Sequence, residues 1–140
     1  MLKIVLRLLY SVLIVRAVTM MGALVGDLKA VNVVVPAGDF FHGDLYRIST
    51  FSGFLINDCL TAATDRNRAM EIAVNRAWEI KLPGGLTPAV GDLLYWSSGA
   101  GTKRGDTDLQ AAVQGNAIVK VLKVKNAAGY ATVTLASLPN

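Results

Sequence analysis

Short alternations of apolar and polar residues, each closed by glycine or proline, run from residue 27 to residue 138. This period-two pattern constrains the fold more than any other feature, because side chains alternate between the two faces of a strand. VNVVVPAG (31–38) is a strand stopped by Pro36 and Gly38. DLYRIST (44–50) alternates, FSGF (51–54) reads as a turn, and FLINDC (54–59) as the next strand. TAATDRNR (61–68) reads as a polar loop. In AMEIAVNRAWEIKLP (69–83), Met70, Ile72 and Val74 share one face, and Trp78, Ile80 and Leu82 repeat the pattern. DLLYW (92–96) follows, then the glycine-rich SSGAGTKRG, then a closing hairpin of NAIVKVLKVKN (116–126) and YATVTLAS (130–137) across Ala-Ala-Gly. About eight strands with turns every 8–12 residues predict an all-β sandwich or barrel. One helical turn is expected over 107–114, capped by Thr107 or Asp108, with Leu109 and Val113 at i, i+4.

The tripeptide Gly-Asp-Leu occurs three times, at 26–28, 43–45 and 91–93. Glycine supplies a turn conformation, aspartate accepts backbone N–H groups, and leucine is expected to be the first inward residue of the strand that follows. Asp27, Asp44 and Asp92 are therefore read as turn residues rather than as catalytic carboxylates.

Residues 1–21 differ from the rest. MLKIVLRLLYSVLIVRAVTMM is apolar, with charges only at Lys3, Arg7 and Arg16. The run LLYSVLIV is too short to span a bilayer. Arg16 falls where a signal peptide needs small neutral residues. The segment reads as an apolar arm over 1–26, helical or extended, before a β domain over 27–140. A signal or membrane anchor, or a start at Met20 or Met21, are the alternatives.

Charge argues against nucleic acid as partner. The chain carries 14 basic and 10 acidic residues, a net of +4. Three of the basic residues lie in the arm, so the body is almost neutral. Lys120, Lys123 and Lys125 form the one dense basic run, read as a solvated strand face. Cys59 is the single cysteine and is expected in the core; His42 is the single histidine and is expected at a surface turn. GAGTKRGDT (99–107) lacks the order of a phosphate loop, since Lys103 precedes Gly105. Arg104-Gly105-Asp106 within it reads as a loop tip. Ser49, Ser52, Ser97 and Ser98 lack a nucleophile-elbow context. No catalytic residue, cofactor, metal or small-molecule substrate is expected.

VNVVVPAGDFFHGDLYRI, EIAVNRAWEIKLP, LTPAVGDLLYWSSGAGT and GNAIVKVLKVKNAAGYATVTL together resemble the capsid cement, or head decoration, proteins of tailed bacteriophages. The matching elements are Val31–Gly38, Gly43–Ile48, Glu71–Leu82, Val90–Trp96 and Gly115–Leu135. Residues 1–21 lie outside the family's pattern, and Asn116-Ala117-Ile118 stands where Ile-Gly is usual. The resemblance implies a β-tulip-like or SH3-like barrel on the exterior of the virion, and not an enzyme. Its partner would be the major capsid protein, held by multivalent contacts, and a homotrimer is the expected assembly. Leu2, Ile4, Leu6, Leu8, Leu9, Val12 and Ile14 are the candidate capsid contacts of the arm. Phe40, Phe41, Trp78 and Trp96 are candidate oligomer contacts and equally candidate core residues. Another virion module, such as a head-fibre base or a tail component, and an exported β domain using residues 1–21 as signal or anchor, are the competing readings.

Overall fold

The computed structural model describes residues 29–136, which form two curled, five-stranded antiparallel sheets. The arm residues Leu2 to Ile14 and the first Gly-Asp-Leu copy lie outside the described residues. The first sheet has the order β1-β4-β3-β2-β7, from β1 (Ala30–Val34), β2 (Leu45–Ile48), β3 (Phe51–Leu55), β4 (Asn67–Glu71) and β7 (Lys103–Arg104). The second has the order β5-β10-β9-β6-β8, from β5 (Ala77–Lys81), β6 (Leu93–Trp96), β8 (Leu109–Gln110), β9 (Val119–Lys123) and β10 (Tyr130–Leu135). The all-β expectation holds, with ten strands among the described residues, two of them only two residues long.

The core lies between the sheets. Val33, Leu45, Ile48, Phe54 and Met70 from the first sheet meet Ile80, Leu94, Val119, Val121 and Val133 from the second in one buried cluster. Their removal from water is the main driving force for closing the sheets. Two aromatic contacts join the sheets directly. Trp96 of β6 donates its indole N–H to Ser52 Oγ of β3 at 2.8 Å, and Trp78 of β5 stacks on Phe54 of β3 with ring centroids 4.8 Å apart.

Four local expectations are corrected. FSGF is strand β3, not a turn; the β2–β3 turn is Ser49-Thr50, where Ser49 has φ 60°. Gly53 is present for clearance: a Cβ there would collide with the Glu71 carbonyl oxygen and lie 2.8 Å from Met70 Cγ. The helical turn is α1 (Gly105–Asp108), not 107–114. Leu109 has left it for β8, and Val113 is exposed. Asp108 accepts the Arg104 backbone N–H at 2.8 Å, so it closes the turn from its far end rather than capping its start. Over 69–75, Met70 and Ile72 are buried as the alternation requires, but the strand ends at Glu71 and Val74 is exposed.

The last correction concerns Gly-Asp-Leu. Gly43 and Gly91 have φ of +85° and +91°, and each opens a strand, as expected. Leu45 is fully buried, but Leu93 is 41% exposed and Leu94 takes the core position. The motif thus starts a strand without fixing which face its leucine takes.

Candidate functional site

The densest set of specific side-chain interactions lies where the loop after β1 meets the loop after β3. Phe40 and Cys59 form an isolated antiparallel bridge, exchanging N–H···O bonds of 2.9 and 2.8 Å. Both side chains are buried. The pleat therefore turns their sequence neighbours outward. Phe41 is 46% exposed and Leu60 is 45% exposed. Each directly follows a bridge residue, one on either loop. The result is a small apolar surface carried on two loops.

Side chains pin those loops at both ends. Arg66 spreads its guanidinium over four main-chain carbonyls. Nε donates to Val35 O and Pro36 O, Nη2 to Pro36 O and Gly38 O, and Nη1 to Leu60 O, at 2.6–3.1 Å. Only arginine presents a planar fork of five donors that can close such a set. Asp39 Oδ1 accepts both the backbone N–H and the hydroxyl of Thr61, at 2.7 and 2.8 Å. These bonds, aided by Arg66 and Arg104, hold the Asp39 carboxyl below its ordinary value. Asp58 Oδ1 accepts the His42 backbone N–H at 2.7 Å. Arg68 donates to the carbonyls of Asp58, Asp65 and Asn67.

A second layer lies beneath. The Arg104 guanidinium sits 4.2 Å from the Phe40 ring centroid and 5.5 Å from that of Tyr46, and Nη2 donates to Asp39 O at 3.1 Å. Tyr46 accepts the Phe41 backbone N–H at 2.9 Å and donates to Asp44 Oδ2 at 3.4 Å. Burial, with help from the nearby Asp44 charge, pushes the Tyr46 hydroxyl up to about 12, against the bond from Phe41. Burial also raises the Asp44 carboxyl, against the Tyr46 hydrogen bond. The Tyr46 hydroxyl therefore keeps its proton well above neutral pH and serves as a fixed link between the Phe41 backbone and Asp44.

The four candidate oligomer contacts separate. Phe40 and Trp96 belong to this chain's own core, Trp78 is half-buried against Phe54, and Phe41 is the exposed one. Cys59 is buried and unpaired, and His42 is exposed at its turn. Arg104-Gly105-Asp106 is not a loop tip. Arg104 is held over two rings, and Gly105 packs so closely on Leu45 that a Cβ would lie 3.0 Å from Leu45 Cβ. Lys103 is buried in β7 and donates to Ser98 O at 2.9 Å. Lys120 and Lys123 are exposed as expected, while Lys125 reaches the carbonyls of Pro83 and Gly84.

Sequence reading missed Arg66 and Leu60. Arg66 finds most of its acceptors 28 to 31 residues away, so nothing local marks it. The outward turn of Leu60 follows from the bridge, which no periodicity announces. Among the described residues, no group of three or more His, Cys, Asp or Glu side chains is placed to hold a metal ion. Beside the pinned loops, Asn32, Asn57, Asp58, Asn67 and Arg68 line an open concavity of about 500 Å³. No protein-family model, no curated protein and no solved structure matches the chain.

Proposed function

We propose that this chain is a structural virion protein of a tailed phage, one that binds the exterior of the expanded capsid and stabilises contacts between major capsid subunits. The observation that supports it best is the pinned surface bearing Phe41 and Leu60. Two exposed apolar side chains sit on loops whose backbone carbonyls are held by Arg66 and whose ends are held by Asp39 and Asp58. Pre-organised loops lose little freedom on binding, so even a small apolar contact retains most of its gain. A protein present in many copies needs only a modest contact per copy. Such a surface suits a passive brace, whose work against outward pressure depends on not deforming. The resemblance of the strand and turn motifs to capsid cement proteins gives this reading its partner and its place on the virion. The arm 1–26 is the second proposed contact, by strand addition or groove filling.

Co-sedimentation with expanded, undecorated capsids tests the reading. The intact chain should bind saturably, at a fixed ratio to the major capsid protein. Phe41→Asp with Leu60→Asp should weaken binding at least tenfold with the far-ultraviolet spectrum unchanged. Deleting residues 2–19 should abolish binding while the β domain stays folded. Absence of saturable binding by the intact chain would sink the proposal.

A further inference from the structure

The first sheet ends in a strand with no guard. Among the described residues, nothing pairs with the outer edge of β1. Exposed edges invite pairing with other chains, and proteins block them with charge, proline or brevity. The other three edges follow that rule. β5 carries Glu79 and Lys81, and β7 and β8 have two residues each. β1 is Ala-Val-Asn-Val-Val, five residues without charge or proline, and Val34 is 71% exposed.

The open groups on this edge can be named. Val35 donates its N–H to Arg66 O, and Lys29 O accepts from Ile72, so residues 29 and 35 bond toward β4. Alternate residues of an antiparallel strand bond to opposite sides. Ala30, Asn32 and Val34 therefore direct N–H and C=O away from the sheet.

From this we infer that β1 pairs with β1 of a second copy, antiparallel, about a two-fold axis at Asn32. In that register Asn32 faces Asn32, and Ala30 faces Val34. Both are hydrogen-bonded pairs, so all three open residues of each copy are satisfied. The two first sheets become one continuous sheet, with the inward Val31 and Val33 of each copy on the same face. No like charges meet. The same operation on β5 fails. Leu82 bonds inward to Gly129, so Ala77, Glu79 and Lys81 are the open residues, and the axis would set Glu79 against Glu79. This contact is isologous and closes at two copies. It differs from the trimer that the resemblance implies, and does not depend on the capsid reading.

A five-residue ladder falls short of the roughly 1,200 Å² of a stable interface. The free protein should therefore dimerise weakly, and copies held side by side should pair readily, because tethering raises effective concentration into the millimolar range.

Two variants of the full chain test this. Asn32→Pro removes a donor that points away from β4, a place where an edge strand tolerates proline, so the fold should survive while pairing is lost. Asn32→Cys places two thiols on the axis, with Cα atoms about 5.5 Å apart, within disulfide range. Cys59 is buried and should not compete. Sedimentation equilibrium should show a reversible monomer–dimer for the natural chain and monomer alone for Asn32→Pro, with the same far-ultraviolet spectrum. Mild oxidation of Asn32→Cys should give one disulfide-linked dimer on a non-reducing gel. The inference is overturned by a natural chain that stays monomeric to about 1 mM with no cross-link in Asn32→Cys, the outcome if residues 1–28 or another protein cover the edge. A dimer or trimer that Asn32→Pro leaves unchanged overturns it equally.

Discussion

The Trp96 indole N–H meets Ser52 Oγ at 2.8 Å across the sheet interface, and both residues are buried. Trp78 makes the other aromatic contact between the sheets, and its own buried Nε1 has no hydrogen-bond partner. The two indoles thus fill similar places with opposite polar balance. Removing the acceptor in Ser52→Ala strands a buried donor and should cost about 1–3 kcal/mol. Trp78→Phe keeps the ring against Phe54 and deletes an unsatisfied group, so it should be near neutral. Urea denaturation of both variants checks the pair. A Trp78→Phe loss as large as that of Ser52→Ala would contradict the assignment.

Arg66 holds Val35, Pro36, Gly38 and Leu60 with one guanidinium. Lysine keeps the charge but not the fork, and it cannot reach four carbonyls at once. Arg66→Lys should lose about 2 kcal/mol or more, since hydrogen bonds to charged groups are worth roughly 1.5–3 kcal/mol each and several are lost together. Protease cleavage within 36–44 or 58–66 should appear before global unfolding. A stability within error of the natural chain would show that the clamp is ornamental.

The glycines separate clearance from conformation. Gly53 has an ordinary φ but no room, because the Glu71 carbonyl and Met70 Cγ occupy the space of a Cβ. Gly91 has φ +91° and nothing within 4 Å of that space. Gly53→Ala should break the β3–β4 pairing and cost about 3 kcal/mol, at the upper end of overpacking. Gly91→Ala should cost only the left-handed penalty, roughly 1–2 kcal/mol. Chemical denaturation of both variants should return that order; the reverse order would contradict it.

Much of the fold was legible because the core faces keep strict alternation. Ile80 and Leu82, Val119 and Val121, and Ala131, Val133 and Leu135 are all buried as their period requires. The pattern fails where the backbone departs from regular pairing. The β9–β10 register shifts at Thr132/Val133, putting Val121 and Lys123 opposite adjacent residues. A bulge adds one residue to β9, so Leu122 and Lys123 both face outward. Alternation alone would have driven Lys123 into the core. β3 failed for another reason. It is buried along most of its length, so Ser52-Gly53 looked like a turn while serving as a hydrogen-bond acceptor and a clearance point. Of the proposed binding surface, Phe41 was visible as an aromatic beside a turn; Leu60 and Arg66 needed the tertiary bridge to acquire their places.

Asp44 should weaken the fold at neutral pH. Burial raises its carboxyl, so the folded state holds the proton more tightly than the unfolded chain, whose value is 3.8. Its contribution is present below pH 3.8 and is lost as pH rises through the folded value. Asp44→Asn should therefore be more stable than the natural chain at pH 7, with the difference closing below pH 3.8. Asp39 and Asp65 act in the opposite sense. Bonds from Thr61 and Asn67 lower their carboxyls, so their contributions are lost on acidification below 3.8. Melting temperatures across pH 3–7 for the natural chain and for Asp44→Asn separate the two. A constant offset over that range would show that the Asp44 charge plays no part.

Tyr46 should weaken the fold at alkaline pH. Its hydroxyl is pushed up to about 12 from 10.0, chiefly by burial, while the Phe41 N–H opposes and the Asp44 charge adds. The unfolded chain releases this proton near pH 10, whereas the folded chain holds it until about 12. The unfolded state thus binds fewer protons across that window, and stability must fall as pH rises through it. Tyr46→Phe removes the proton and also the acceptor for Phe41 N–H. It should start less stable at pH 9 and lose less between pH 10 and 12, so the two stability curves converge. Lysine deprotonation over the same range is common to both proteins and cancels in the difference. Absorbance at 295 nm during the titration gives a second readout: one tyrosine of the natural chain should ionise near pH 12, and that step should be absent from Tyr46→Phe. Parallel stability curves, with no late-ionising tyrosine, would mean that the hydroxyl is solvated and that the layer beneath Phe41 is more open than its 2.9 Å bond implies.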